Sequence, residues 1–387
     1  MKIALVHDYI KEYGGAESVL ETLSDIYPDA DILTSVYSPQ FLGPHRTRLE
    51  NKWSRRIRQS WFSHIPFVYK LLSPLRFLSP LAFKSFDFTG YDLIITSATG
   101  AFFPNSLNKK SARLVCYCHT PPRYLYNLAT ARSLDSWFYK LVNVPLQITL
   151  HFYRLFDFSY AQNVDQFIAN SKTTAARIQK FYRKDSIIIN PPVDIPIPDD
   201  ARSAVTHQSQ SFYLTGGRLT LAKRYDIAIL ACNKLKLPLK VFGRGFAGYS
   251  DALKKIAGLP AGASAKAGSY IEFIGEITQD QKTQLMSGAK AFIFCSDNED
   301  FGIAPVEAMA VGTPVVAYRS GGTTETVIDG KTGIFFDELT ADSCVKAIQK
   351  LDKAKIKSSD CISQSQKFSK EVFIDKIQQF ISTSPSV

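Results

Sequence analysis

Short apolar runs alternate with helical patterns along this chain, and that alternation limits its possible folds more than any other feature. The opening KIALV reads as a buried parallel strand, and similar runs follow at 92–96 (DLIIT), 113–117 (RLVCY), 165–169 (DQFIA) and 186–189 (SIII). Such alternation predicts an α/β protein whose parallel sheet is covered by helices on both faces. A proline-rich stretch at 190–200 (NPPVDIPIPDD), with the polar run to Ser211, reads as an interdomain linker. A second alternation starts at Phe212 and continues through PLKVFGRG (238–245), YIEFIGEIT (270–278), the run at 290–295 and TPVVAY, ending in an amphipathic helix at 371–381. With 387 residues the chain is long enough for two domains with separate cores.

The formal charge of +11 is uneven: residues 46–84 hold nine basic residues against one acidic. Within 52–84 the cations interleave with Trp53, Trp61, Phe62, Phe67, Tyr69 and Phe77. Three prolines and the charges forbid a spanning helix, and the mixture suits the interface of an anionic bilayer as well as it suits a pair of core helices with basic edges. Lys52, Trp53, Arg55, Arg56, Arg58 and Trp61 are the candidate membrane or acceptor patch. Base stacking on these aromatics has no accompanying nucleic-acid motif, so no nucleic-acid partner is expected. The six cysteines are scattered and read as reduced, buried small hydrophobes. Cys116 and Cys118 lack a second ligand pair at a matching spacing, so no metal site is expected. The apolar run before Asp8 is too short for a signal peptide, and no stretch of about 18 or more apolar residues occurs, so a cytoplasmic protein is expected.

The densest chemistry lies in SDNEDFGIAPVEAMAVGTP, residues 296–314. Pro305 suits the first position of a helix predicted over about 304–311, with Glu307 in its first turn. Glu299 lies eight residues earlier, in the preceding loop, so the two carboxylates must reach different parts of something long. Between them Phe301, Gly302 and Ile303 bring backbone N–H groups to a helix start, where a phosphate is favoured. Either Glu alone reads equally well as an acidic residue at a helix N-terminus. Gly14 and Gly15, after the first strand, allow close backbone approach to a ligand, although a plain turn explains them as well. Arg218 and Lys223, five residues apart across a loop, can straddle a diphosphate or stand as ordinary surface charges. His119 falls just after the strand at 113–117, on the side where ligands of such sheets lie.

The stretch from Glu299 to Glu307 resembles the signature of the retaining glycosyltransferases of family 4, also called group 1. In that signature a second Glu follows the first after seven residues, with FG-hydrophobic-x-P between: here Glu299, Phe301, Gly302, Ile303, Pro305 and Glu307. The resemblance implies the GT-B fold, two facing Rossmann-like domains with parallel sheets and a cleft between them. Residues 1–195 would form the acceptor-side domain and 196–368 the nucleotide-sugar domain, with 369–387 a helix returning to the first. It further implies that Glu299 holds the transferred sugar's hydroxyls and Glu307 the ribose diol, with the amides near Gly302 and Ile303 on sugar and phosphate.

Other segments resemble the family in the same order. Gly15 and Glu17 match its GG-x-E loop. Arg218 and Lys223 match a G-R-x4-K motif whose cations bind the donor diphosphate, although Arg224 stands where the family usually has glycine. CYCHTPPRYLY resembles a bacterial branch that assembles surface polysaccharides, which implies that His119 contacts the donor sugar; Asn170 and Ser171 resemble the N-S pair that opens the next helix. That branch is often assigned to mannosyl transfer from GDP-mannose. The implied protein is a metal-independent, cofactor-free hexosyltransferase, peripheral at the inner face of the cell membrane, moving sugar from a nucleotide-sugar donor to a lipid diphosphate-linked glycan. A UDP-sugar transferase, a GT-B nucleotide-sugar epimerase, a phosphorylase and a catalytically dead membrane scaffold are the rivals.

Overall fold

The computed structural model describes residues 1–128, 137–195, 212–246, 248–260, 263–265 and 268–383. Most of the expected linker, 196–211, lies outside the described residues, as does the chain end from 384. The chain divides into two units: residues 1–128, 137–192 and the last helix from 370 make the first, and residues 193–369 the second.

In the first unit the strands are β1 (Ile3–His7), β2 (Asp31–Thr34), β3 (Ile57–Gln59), β4 (Leu93–Ala98), β5 (Arg113–Cys118), β6 (Gln166–Ala169) and β7 (Ser186–Ile188). They form one parallel sheet in the order β3-β2-β1-β4-β5-β6-β7. The helices are α1 (Gly15–Ile26), α2 (Arg46–Trp53), α3 (Val68–Leu75), α4 (Ser79–Lys84), α5 (Trp137–Gln162) and α6 (Lys172–Tyr182), together with the last helix, Lys370–Thr383. Strand residues alternate between two apolar layers: Ala4 and Val6 join Ile94, Leu114 and Cys116 on one face, while Ile3 and Leu5 join Ile95, Val115 and Tyr117 on the other. An unbroken apolar run is therefore what a strand covered on both sides requires. The last helix buries Phe373, Ile377 and Phe380 in the second of these layers, each burial stabilising by about 1.5–3 kcal/mol.

The second unit has β8 (Phe212–Gly216), β9 (Leu239–Phe242), β10 (Ile271–Gly275), β11 (Ala289–Phe294), β12 (Val315–Tyr318) and β13 (Gly333–Phe336). Its sheet is also parallel, in the order β10-β9-β8-β11-β12-β13. Among its helices are α7 (Tyr225–Leu235), α8 (Tyr249–Ile256), α9 (Gln279–Ser287) and α10 (Ile303–Ala310). Thr278 and Gln281 cap α9 reciprocally, as their spacing predicts.

Of the two readings of the basic and aromatic segment 46–84, packing with basic edges describes much of it. Trp53 is fully buried in the core and its indole N–H donates to Ser24 Oγ at 3.0 Å, so it cannot reach a membrane. Lys52 pairs with Glu21 at 3.2 Å and Asp25 at 2.5 Å, and Arg58 pairs with Asp31 at 3.0 Å. Arg56 donates to the carbonyls of Tyr27 and Pro28 at 3.2 and 2.7 Å. Of the six patch residues, Arg55 stands exposed, and Trp61 is exposed as well while its ring meets that of buried Phe62 edge-on at 5.7 Å. Strand β3, three residues reading IRQ, lies inside the same segment and carries no hydrophobic run that could announce it. Among the described residues, no helix is long and apolar enough to cross a membrane.

Candidate functional site

In the second sheet the strand order reverses between β8 and β11. Ligands of open α/β sheets bind outside the carboxyl ends of the strands at such a reversal. Strand β8 runs out into Gly217 and Arg218, and β11 into the loop 295–302. Gly217 has φ +127°, and a Cβ on Gly243, at the end of β9, would lie 1.8 Å from the Gly217 carbonyl oxygen. Both turns must therefore stay free of side chains, which leaves backbone exposed beside Arg218.

Lys223 closes a short 3-10 turn, Leu221–Lys223, and is ion-paired to Glu299. Glu299 also accepts from Ser296 Oγ at 2.6 Å, and the Asp297 N–H donates to the Ala222 carbonyl at 3.3 Å. The two segments singled out in the sequence are thus bonded to each other. Gly321 and Gly322 hold the loop from the far side: the Gly322 N–H donates to the Glu299 carbonyl at 2.8 Å, and a Cβ on Gly321 would lie 2.1 Å from that same oxygen. The SGGT turn therefore fixes the backbone of Glu299 by a contact that only glycine permits.

Helix α10 starts at Ile303 and ends at Ala310, one residue earlier at each end than expected. Gly302, at φ +90°, turns the chain directly into it. Pro305 is consequently the third helical residue, where its missing N–H still costs nothing, and Glu307 lies in the second turn, not the first. Phe301 is buried and its ring meets that of Phe368 at 5.4 Å, so its backbone, not its side chain, is what can serve a ligand. Glu307 accepts from Lys282 Nζ, on α9, at 2.6 Å. Lys282 did not emerge from the sequence; it occupies an ordinary-looking helix position, and only the packing of α9 on α10 brings it to Glu307.

Arg224 has φ +49°, a backbone conformation that favours glycine. Its guanidinium forks onto the Asp226 carboxylate at 2.9 and 3.0 Å, which offsets the strain and keeps the turn after Lys223 in the shape a glycine would give it.

In the first sheet the reversal falls between β1 and β4. His7 and Ser97 are register partners at the ends of these strands, and Ser97 Oγ lies 2.9 Å from His119 Nε2, just beyond β5. Asn170 Nδ2 and Thr174 Oγ1 donate to the His119 carbonyl at 2.9 and 3.2 Å, while Ser171 caps α6 by accepting from the Thr174 N–H at 3.0 Å. The neighbouring loop is tied down by Asp8, whose Oδ2 accepts from the Thr99 hydroxyl and from the N–H groups of Thr99, Ala101 and Phe102 at 2.6–3.3 Å. Gly100, at φ +74°, approaches Thr120 so closely that a Cβ would lie 2.6 Å from its carbonyl oxygen. Desolvation, aided by His7, pushes the His119 pKa down to about 3, so its ring is neutral near pH 7. Gly15 opens α1, and Glu17 turns back to accept from the Gly14 N–H at 2.9 Å, leaving its other oxygen 3.6 Å from His7 Nε2. The sequence offered no signal for the adjacent His7 and Asp8, at the end of the first apolar run, or for Ser97, after Thr96 at the end of another.

All six cysteines are buried and unbridged. Among the described residues, no group of three or more His, Cys, Asp or Glu side chains is placed to hold a metal ion.

The profile of the family Glycosyl transferases group 1 matches residues 198–368, and that of Glycosyltransferase Family 4 matches residues 13–195. The chain belongs to glycosyltransferase family 4. It is similar to the alpha-1,3/1,6-mannosyltransferase ALG2 of Dictyostelium discoideum, 25% identical over 285 residues, which are 65% of this chain and 65% of that protein. The enzyme of the same name from Kluyveromyces lactis is 26% identical over 279 residues, 62% of this chain and 52% of its own length. The match thus spans between about half and two thirds of these relatives. Among solved structures, Anabaena HepE in complex with UDP and glucose superposes with a TM-score of 0.67 at 19% identity, covering 99% of this chain and 100% of that one. Sucrose-phosphate synthase from Thermosynechococcus elongatus gives 0.70 at 17% identity, covering 99% and 98%. The two parallel-sheet units are those of the GT-B fold.

Proposed function

We propose that this family 4 protein is a retaining, metal-independent glycosyltransferase that moves mannose from GDP-mannose to a lipid diphosphate-linked glycan, working at the cytoplasmic face of a membrane. The observation that carries the reading is the pair of ion pairs, Lys223–Glu299 and Lys282–Glu307, set around the start of α10 at the strand reversal of the second sheet. Arg218, Lys223 and the first-turn amides of α10 supply positive charge for a diphosphate leaving group. Glu299, released from Lys223 as phosphate takes its place, accepts from sugar hydroxyls; Glu307, steadied by Lys282, accepts from the ribose diol. In the first unit His119 offers a neutral ring as hydrogen-bond partner to a sugar hydroxyl, oriented by Ser97 and Asn170. Gly15 lets backbone approach the donor at the start of α1. The transfer of mannose is supported by the similarity to the alpha-1,3/1,6-mannosyltransferases ALG2.

The test incubates the protein with GDP-mannose, and separately with UDP-glucose, in the presence and absence of a lipid diphosphate-linked saccharide. The anomeric configuration of the product is read by NMR. Acceptor-dependent formation of an α-mannoside from GDP-mannose without added metal is expected. Turnover with UDP-glucose alone would overturn the donor assignment. Free sugar released without acceptor would favour an epimerase, and absence of nucleotide binding a scaffold.

A further inference from the structure

The first unit carries an apolar ridge that the sugar chemistry does not use. Along α5, Ile148, Phe152, Leu155 and Phe156 are 56%, 54%, 53% and 49% exposed. At about 100° per residue these four fall within an arc of about 100° on one side of the helix. On the other side Leu150 and Ala161 are buried and Tyr153 packs against the core. Between Pro145 and Gln162 the helix has two charged residues, and neither lies on the outer face. Arg154 donates to the Leu125 carbonyl at 2.8 Å, and Asp157 is buried and bonded to the Tyr126 hydroxyl at 2.8 Å. The outer face therefore bears no carboxylate.

Phe77, just before α4, packs on the inner side of α5: its ring centre lies 4.3 Å from that of Tyr153, whose hydroxyl donates to the Phe77 carbonyl at 3.3 Å. Leu78 and Leu81, next along, are exposed as well. Cations stand on the flanks. Lys84 Nζ sits 5.4 Å from the Tyr160 ring, and the Arg183 guanidinium 5.9 Å from that of Phe158. Six large apolar side chains held open to water in one region mark a surface with a partner. A second copy of the chain would oppose this basic rim to itself in a symmetric contact, whereas anionic lipid complements it.

We propose that the α4–α5 ridge, and not the basic segment at 52–58, is the surface by which the protein docks on an anionic bilayer, with Ile148, Phe152, Leu155 and Phe156 entering the interface and Lys84 and Arg183 meeting lipid phosphates. The inference deepens the reading of a membrane-linked acceptor and rests on it for its purpose, but vesicle binding is measured without donor or acceptor.

The full chain is sedimented with phosphatidylcholine vesicles and with vesicles containing phosphatidylglycerol. Wild type partitions to the anionic vesicles, and Phe152→Ser/Leu155→Ser/Phe156→Ser lowers that partition at least about tenfold. Arg55→Gln/Arg56→Gln/Arg58→Gln leaves it within about twofold. Because the serine variant could fold poorly, Phe152→Trp provides a second reading: its added fluorescence is quenched by brominated lipid when vesicles are present. Thermal shifts with GDP run in parallel, so a missing GDP shift counts against the donor reading while the vesicle result stands by itself. The proposal is overturned by undiminished vesicle binding of a folded serine variant, by loss of binding in the triple arginine variant, by added fluorescence in Phe152→Trp that brominated lipid leaves unquenched, or by a wild-type dimer that ignores vesicles and dissociates in the serine variant.

Discussion

The strand reversals of the two sheets solve the problem of placing polar groups near a core in opposite ways. In the second unit the charges are kept and paired: Lys223 with Glu299 and Lys282 with Glu307. In the first unit the polar groups are kept neutral or locked, with the His119 ring kept neutral by its desolvated setting and Asp8 held through Oδ2 by the Thr99 hydroxyl and loop N–H groups, its buried Oδ1 left without a partner. Paired charges can be exchanged for those of an ionic ligand, whereas a neutral, oriented ring is suited to an uncharged hydroxyl. Under the proposed function, the ion pairs of the second unit would give way to a diphosphate and the neutral ring of the first would meet a sugar hydroxyl.

The largest effect should come from the cations at the reversal of the second sheet. Replacing Lys223 or Arg218 by Ala is expected to lower turnover by about tenfold to a thousandfold, as for lost stabilisation of a leaving group. Near-normal turnover in either variant would break the contrast at its charged end.

A smaller effect tests whether the Glu299 loop is held by the glycine turn. Gly321→Ala forces a Cβ into the Glu299 carbonyl at φ +60° and should cost on the order of 2–3 kcal/mol in denaturant unfolding. Unchanged stability would show that the loop relaxes freely.

The neutral end is sharpened by pH. The folded His119 titrates at about 3, against about 6.5 for an unfolded imidazole. Between those values the unfolded chain binds more protons, so this contribution is full above about pH 6.5 and is lost as pH falls, by at most about 1.4 kcal/mol per pH unit. Asp157, raised by burial to about 7, acts in the opposite sense: its contribution is full below about pH 4 and is lost as pH rises through 7. Comparing wild type with His119→Gln isolates the histidine, and the variant should show the shallower acid limb in a series of melting curves. Equal slopes would mean that His119 is protonated in the folded protein.

The smallest effect concerns Arg224. Arg224→Gly relieves the positive φ but loses the partly exposed Asp226 pair, and the two should cancel to within about 1 kcal/mol. A larger loss measured by chemical denaturation would make the ion pair, not the turn, the reason for arginine.

The fold was readable because strands buried on both faces leave unbroken apolar runs, as at β1, β4 and β11. Strand β3 was not, since an edge strand of three residues needs no such run. Glu299, Glu307, Arg218, Lys223 and His119 were visible because each lies in a local motif. Their immediate partners were invisible for a physical reason: Ser97 and Lys282 reach His119 and Glu307 only through packing between elements distant in sequence. Composition left two readings of the basic and aromatic patch open because it does not reveal direction. Trp53 points into the core, while the α5 side chains that do face water sit in a helix without a basic cluster to draw attention to it.

The most direct test of the central claim is a thermal-shift panel of GDP, UDP, ADP, dTDP and CMP on the wild type and on Lys223→Ala. A nucleotide that binds only the folded protein stabilises it by about 2.7 kcal/mol at a hundredfold excess over its dissociation constant. The account predicts a selective rise with GDP that is largely lost in Lys223→Ala. A selective rise with another nucleotide, or none with any of them, would contradict it.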